Sequence, residues 1–491
     1  MFAAAGSTNE LLQYWQYFLI LLNISIAVTA SSHAILWKRD SRSALIWVSL
    51  IWALPLLGSF LYSILGINRI KRRAAILRSD RLTVDSQPTA KPCSPSQINQ
   101  RIGNDNTGTD LCAIATTIGN ISKQPLLPGN RIEPLVNGDE TFPAMRKAIA
   151  SAKKSITLST YIFDLDPTGA RFAYELSQAK DRGVEIRVLI DSTGARYSWP
   201  PITERLAQLR IPYARFLPSM KLVRPLTLNL HNHRKIMVID GRIGFTGGMN
   251  IRHSNLLKEN PKNPVQDLHF ELRGPIVAHL QSAFAEDWAY ATNERLSGED
   301  WFPRLRGQGD ILARGITDGP DEDLDKLIWS MIAGLNAATK NVWIVTPYFL
   351  PEAQLIAALN AAALRGVNVQ ILVPQKNNLP FMNWAMSAML WQVISRGCKL
   401  YATPPPFDHT KLMVVDDSWS LIGSANWDAR SLRLNFEFTV ECYSNRLAGL
   451  LRGHIESKLA TAQPITLHQL ESRPYLIRLR DGLTRLLSPF L

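Results

Sequence analysis

Two uncharged stretches open the chain, and short apolar runs alternating with helical patterns fill most of the rest. Leu11 to Trp37 carries no Asp, Glu, Lys or Arg, and neither does Ser43 to Asn68. Each exceeds the ~20 residues needed to cross a hydrocarbon core, so two transmembrane helices are predicted, over about residues 13–36 and 44–67. Pro55 lies inside the second stretch and is tolerable in a lipid-embedded helix. A cleaved leader is the other reading of the first stretch, but it lacks a basic start and a second apolar stretch follows closely. Residues 82–127 are rich in Ser, Thr, Pro, Asn and Gly without clear periodicity, and they read as a linker after the 1–81 anchor. Beyond them the pattern is that of an α/β protein.

That α/β part repeats itself. KKSITLSTYIF (153–163) is answered by TKNVWIVTPYF (339–349), and RGVEIRVLID (182–191) by RGVNVQILVP (365–374). HNHRKIMVIDGRIGFTGGMN (231–250) is answered by FDHTKLMVVDDSWSLIGSAN (407–426). Three matched segments in the same order indicate a duplicated unit of ordinary domain size, too long for a solenoid repeat. The expected domains are 128–305 and 306–491, related by a pseudo-two-fold with a shared site between them.

Each copy holds H-x-K-x4-D-x6-G-[GS]-x-N. The first is His233, Lys235, Asp240, Gly247, Gly248 and Asn250; the second is His409, Lys411, Asp416, Gly423, Ser424 and Asn426. Two occurrences at identical spacing are not coincidence. Residues i and i+2 of an extended segment share a face, so each His projects beside its Lys. An imidazole next to an ammonium suits a phosphodiester: one group attacks or moves a proton, the other neutralises an oxygen. Asp240 and Asp416 fall on the opposite parity and are expected to play a supporting polar part within the catalytic motif. Gly248, Asn250, Ser424 and Asn426 are expected to bind phosphate through amides and backbone N–H groups. Each histidine needs a group to orient its second nitrogen. The expectation is Asp267 for His233 and Glu437 for His409, each acid opening an acid-x3-acid pattern with Glu271 or Glu441.

Charge sharpens this picture. The net charge is +13, yet residues 1–81 hold nine basic residues against three acidic ones and so carry +6 of it. An excess concentrated beside apolar stretches points to anionic lipid headgroups and away from nucleic acid. The exit of the second stretch is more basic than the connector before it, which places the large C-terminal part in the cytoplasm. Four scattered cysteines, Cys93, Cys112, Cys398 and Cys442, argue against a disulfide scaffold. No metal is expected, because no cluster with ligand spacing appears, and no G-x4-G-K-[ST] loop suggests a nucleotide.

The duplicated motif resembles the phospholipase D superfamily. With the segment WKRDSRSALIWVSLIWALPLLGSFLYSILGINRIKRRA, the chain is similar to the bacterial cardiolipin synthases. The resemblance implies two tandem phospholipase D-like α/β/α domains behind the anchor, in the inner membrane. It implies transfer of a phosphatidyl group between two phosphatidylglycerol molecules through a phosphohistidine, giving cardiolipin and glycerol without a cofactor. By that resemblance His233 is the nucleophile and His409 the acid/base; the repeat by itself allows either. A membrane-tethered phospholipase D acting on other phospholipids is the alternative. LLKENPKNPVQ (256–266) and the acid Asp408 beside His409 depart from the pattern and bear on substrate preference. Asn377 to Ser395 and residues 216–230 are uncharged or apolar enough to dip into a membrane interface, although a buried crossover helix is the simpler expectation for the first.

Overall fold

The protein, seen in a computed structural model, is described over residues 4–38, 41–66, 91–94, 97–98, 108–216, 230–320, 324–486 and 488. It divides into two compact units, Met1–Ile76 and Leu77–Leu491. Most of 216–230 and most of the 82–107 stretch lie outside the described residues.

In the first unit, helix α1 (Ala4–Trp37) contains one segment, Tyr14–Trp37, long and apolar enough to cross a membrane. The second apolar stretch does not form one long helix. It breaks into α2 (Ser41–Ala53), α3 (Pro55–Leu61) and a π turn over Tyr62–Gly66. Pro55 has no N–H and its ring crowds the preceding turn, so Leu54 leaves helical geometry at φ −139°. These pieces fold back on α1, where Ala27, Ala34, Ile51 and Tyr62 form a small core and His33 Nδ1 lies 2.8 Å from the Tyr62 hydroxyl. Two independent spanning helices are therefore not what the described residues show.

The two predicted domains are one unit built on one sheet. The first copy supplies β1 (Leu127–Val136), β2 (Ser155–Thr160), β3 (Glu185–Asp191), β4 (Tyr213–Phe216), β5 (Ile236–Ile239), β6 (Ile243–Gly247) and β7 (Leu268–Arg273). The second supplies β8 (Ile311–Asp318), β9 (Asn341–Val345), β10 (Asn368–Pro374), β11 (Lys399–Thr403), β12 (Leu412–Val415), β13 (Trp419–Gly423) and β14 (Asn435–Tyr443). Their order is β11-β10-β9-β12-β13-β14-β8-β1-β7-β6-β5-β2-β3-β4, so the same seven-strand arrangement appears twice, back to back. The join is β1 against β8, antiparallel, with Leu127 opposite Ala313. Gln463–Ile465 extends one edge beside β11.

Helices cover both faces, as a sheet of nearly continuous apolar strands requires. IMVI in β5 and LMVV in β12 are buried throughout. The helices Val277–Thr292 and Asn445–Leu459 share one core that runs across both copies and includes Phe270, Phe284, Phe438 and Leu451. On the opposite face each copy has its own core, around Phe172 and Phe245 in the first and Met331, Leu359 and Trp419 in the second.

The end of the expected linker is not a tether. Leu111–Ser122 is a helix, capped by Asp110, whose side chain accepts from the Ala113 N–H. Leu111, Ile114, Ala115 and Ile118 are buried in the second copy's core, at the i, i+3, i+4, i+7 spacing of one helix face. The serine, threonine and glycine around them masked this stripe in composition. The Asn377–Ser395 stretch is the expected crossover, in two short helices (Pro380–Ser387 and Trp391–Ile394) with Met382, Ala385, Met386 and Val393 buried.

Candidate active site

The connection before each motif leaves its own copy. His231–Asn232 pairs in parallel with the start of β14, His231 beside Asn435 and Asn232 beside Phe436, and the His233 N–H donates to Phe436 O at 2.9 Å. Likewise Phe407–Asp408 pairs with Val265–Gln266, and the His409 N–H donates to Gln266 O at 2.8 Å. Each histidine is thus delivered next to the acid of the other copy. His233 Nδ1 lies 2.9 and 3.1 Å from the Glu437 carboxylate oxygens. His409 Nδ1 lies 2.8 Å from Asp267 Oδ2. The expected orienting pairs are corrected by this exchange: the two acids are the right ones, but each serves the histidine of the opposite copy.

Lys235 and Lys411 sit beside their histidines, each ammonium donating to the carbonyl of its own motif histidine. Tyr161 and Tyr348, equivalent in the repeat, close over the imidazoles. The Tyr161 ring is 5.2 Å from His233, edge to face, and 5.6 Å from Lys235 Nζ; the Tyr348 ring is 6.4 Å from His409. Neither tyrosine was expected as part of the site, although both stand in the repeated segments. Asp191 is the other unforeseen neighbour: its carboxylate takes the N–H groups of Thr193, Gly194 and Asn232 and fixes the strand that leads into His233.

The electrostatics follow from burying cations together. Burial, with Lys235, Lys411 and His409 close by, holds the His233 imidazole well below its ordinary value. His409 is pushed down to about 4 by burial and by Lys411. Burial lowers Lys235 to about 7 and Lys411 to about 8 against the opposing pull of Glu437 and Asp267. Glu437 is raised to about 7 by the same burial. An arriving phosphate anion reverses the balance, favouring the charged lysines and an imidazolium.

The remaining motif residues divide. Asp240 and Asp416 do not reach the imidazoles. The Asp240 carboxylate accepts the N–H groups of Lys153, Lys154 and Ser155 at 2.7–3.1 Å. Asp416 takes those of Thr339, Lys340 and Asn341 with the hydroxyls of Thr109 and Thr339. They lie at the far end of β5 and β12 and clamp the start of β2 and β9, so they belong to the scaffold and not to the reacting groups.

Ser424 is corrected as a phosphate ligand, because its hydroxyl donates to Glu437 and its N–H to Phe438 O. Gly248 spends its N–H on Leu268 O, and a Cβ there would come within 2.3 Å of Asp267 Oδ1. Gly247, at φ +151°, makes the turn that brings this close approach about. Asn250 Oδ1 accepts from the Ile162 N–H, which leaves its amide nitrogen for a ligand. Asn426 Nδ2 donates to Ser431 Oγ, and its buried Oδ1 has no partner. Of the departures noted in the sequence, Asp408 is buried and paired with Lys458 at 2.7 Å, away from the imidazole it precedes.

The family profile described as cardiolipin synthase, PLD-like domain matches residues 145–288 and 331–459, which contain both motifs. The chain belongs to the cardiolipin synthase family. Cardiolipin synthase A of Pseudomonas aeruginosa is 32% identical over 478 residues, spanning 96% of each chain. The major cardiolipin synthase ClsA of Bacillus subtilis is 30% identical over 480 residues, 96% of this chain and 98% of its own. The fold matches that of a phosphatidylserine synthase from Haemophilus influenzae with TM-score 0.60 at 15% identity, over 77% of this chain and 100% of that one. Membership makes this family member a phosphatidyltransferase acting on phospholipids. Four side chains of the two matched segments, His233, Lys235, His409 and Lys411, are buried close together.

Proposed function

We propose that the chain transfers a phosphatidyl group from one phosphatidylglycerol to another, yielding cardiolipin and glycerol. The observation that carries this reading is the pair of crossed imidazole–carboxylate contacts enclosing two lysines in one buried site. Neutral His233 attacks phosphorus through Nε2, while Glu437 accepts the hydrogen on Nδ1 and fixes the tautomer. The N–P bond forms, the P–O bond to glycerol breaks, and His409, as imidazolium, gives its proton to the departing alkoxide. The free hydroxyl of the second phosphatidylglycerol then yields its proton to His409 and attacks phosphorus. The N–P bond breaks and cardiolipin leaves, with both histidines restored. One phosphodiester is exchanged for another, so no nucleotide or other cofactor is required. Lys235 and Lys411 neutralise the non-bridging oxygens, and the amide nitrogen of Asn250 offers them a hydrogen bond.

Tyr14–Trp37, the one segment among the described residues long and apolar enough to cross a membrane, and the basic residues after the second apolar stretch support an anchor in the bacterial inner membrane with the catalytic unit in the cytoplasm. Purified enzyme given phosphatidylglycerol with labelled glycerol tests the chemistry. Label entering phosphatidylglycerol alongside cardiolipin formation is expected from a phosphatidyl-enzyme. Cardiolipin without label exchange would rule out the two-step route, and phosphatidic acid as sole product would make the protein a hydrolase.

A further inference from the structure

The last long helix, Tyr475–Arg485, is amphipathic in the reverse sense for a surface helix. Its buried residue is an aspartate. Asp481 is 1% exposed and is held by Arg473 at 2.5 Å and Arg480 at 2.7 Å. That face meets the crossover helix Pro380–Ser387, where Arg473 donates to Ser387 O at 3.0 Å and Arg480 lies 4.3 Å from the Trp384 ring centre. At about 100° per residue, Tyr475, Leu476, Leu479, Leu483 and Leu486 fall together on the side opposite Asp481. Leu476 is 74% exposed, Leu483 58% and Leu486 68%. A helix serving only the fold would turn this stripe inward. Phe381 and Trp391, on the neighbouring crossover helices, are exposed as well.

The geometry points to this face as a seat in the headgroup–acyl boundary of an anionic bilayer. Arg478 and Arg480 flank the apolar stripe on its two sides, and the lipid-lying helices of peripheral enzymes combine these two features. A second copy of the chain is the poorer occupant, because a two-fold contact would set arginines against arginines. The seat also adjoins the site. Asn378, two residues before the crossover helix, accepts from the Tyr348 hydroxyl at 2.8 Å, and Tyr348 covers His409. Docking there would present the second half of the site to the surface that holds its lipids, an inference that rests on the bilayer-lipid substrate proposed above.

The test uses the full chain reconstituted in vesicles of phosphatidylglycerol and phosphatidylcholine. An environment-sensitive fluorophore on Leu483→Cys should emit to the blue of its aqueous value and be quenched about twofold or more by doxyl-labelled lipid. The same label on Asp181→Cys, in the first copy's exposed surface, should not. Water-like, unquenched emission at 483 would overturn the proposal, as would disulfide capture between two Leu483→Cys copies in place of quenching. In a second arm, the variant Leu476→Asp/Leu483→Asp should turn over detergent-dispersed phosphatidylglycerol as the parent does, while KM for vesicle lipid rises about tenfold at unchanged kcat. Equal KM on vesicles, or equal loss in both media by a variant with unchanged melting, would contradict it. If the parent makes no cardiolipin at all, the substrate reading fails, while the quenching still decides the docking.

Discussion

The two copies of the repeat share strand order and motif spacing but not the surroundings of their imidazoles. His233 leans on a glutamate that is itself held by the Ser424 hydroxyl and by Asn435 at 3.2 Å. His409 leans on the shorter Asp267, whose other oxygen accepts the Leu268 N–H at 2.8 Å, and Gly248 stands where Ser424 stands in the other half. Residue 231 is a histidine near Asp191 in the first copy, and its counterpart is Phe407. Duplication supplied two nearly equivalent acid–base pairs. Divergence around the carboxylates left the two imidazoles in different settings, and the reaction proposed above gives the first the attack on phosphorus and the second the proton transfer.

Removing the imidazoles tests that division most severely. His233→Ala and His409→Ala should each cut phosphatidyl transfer by about 10³-fold or more, because the pair acts as a unit. A substrate with a nitrophenol leaving group separates them, since its departure needs no proton. His409→Ala should still accumulate a phosphatidyl-enzyme with that substrate, seen by intact-protein mass, whereas His233→Ala should not. The opposite result would exchange the roles of the two halves.

The crossed carboxylates come next. Glu437→Gln and Asp267→Asn should each lower kcat/KM by about 10²- to 10³-fold through loss of tautomer and orientation. They should differ in pH dependence. Activity should fall on the alkaline side as a lysine loses its proton, with the parent's limb expected near the Lys235 and Lys411 values of about 7 and 8. Glu437 is the strongest support for the charged form of Lys235, so Glu437→Gln should move the lower of these steps to lower pH. Asp267→Asn should act on the higher step, that of Lys411. A pH–rate profile of each variant checks the assignment.

Much of this was legible in the sequence, and what was hidden has a physical reason. Chemistry demands particular side chains at fixed spacing, so His233, Lys235, His409 and Lys411 stand out in a single pass. Asp267 and Glu437 are visible as equivalent acids of the repeat. Their exchange is not, because the pairing of His231–Asn232 with Asn435–Phe436 joins segments some 200 residues apart and leaves no local periodicity. The break at Pro55 was obscured for another reason: hydropathy weighs transfer to lipid, not the hydrogen bond a proline removes. Asp240 and Asp416 share the motif with the histidines, and only the backbone amides around them reveal a clamping part.

Smaller substitutions sharpen the contrast between the two carboxylates. Gly248→Ala forces a methyl onto Asp267 and should lower kcat/KM about tenfold or more, from an overpacking cost of about 1–3 kcal/mol. Ser424→Ala removes a hydroxyl that donates to Glu437 and accepts the Phe438 N–H but introduces no clash, and it should cost less, at most about tenfold. Asp240→Ala and Asp416→Ala should leave kcat of the folded enzyme nearly unchanged and act on melting temperature. The larger drop belongs to Asp416, which also holds the Thr109 and Thr339 hydroxyls, and calorimetry reads the difference.

The exchanged strands also bear on when the protein becomes an enzyme. A chain emerging from the ribosome has its first histidine long before residue 437 exists to orient it, and contacts of such separation close late in folding. Until then the first imidazole lacks the carboxylate that orients it. The acid that holds its Nδ1 sits on β14, among the last parts of the sheet to be made. Completing the site is thus a step of one chain's maturation, in which each half lends its carboxylate to the other's imidazole.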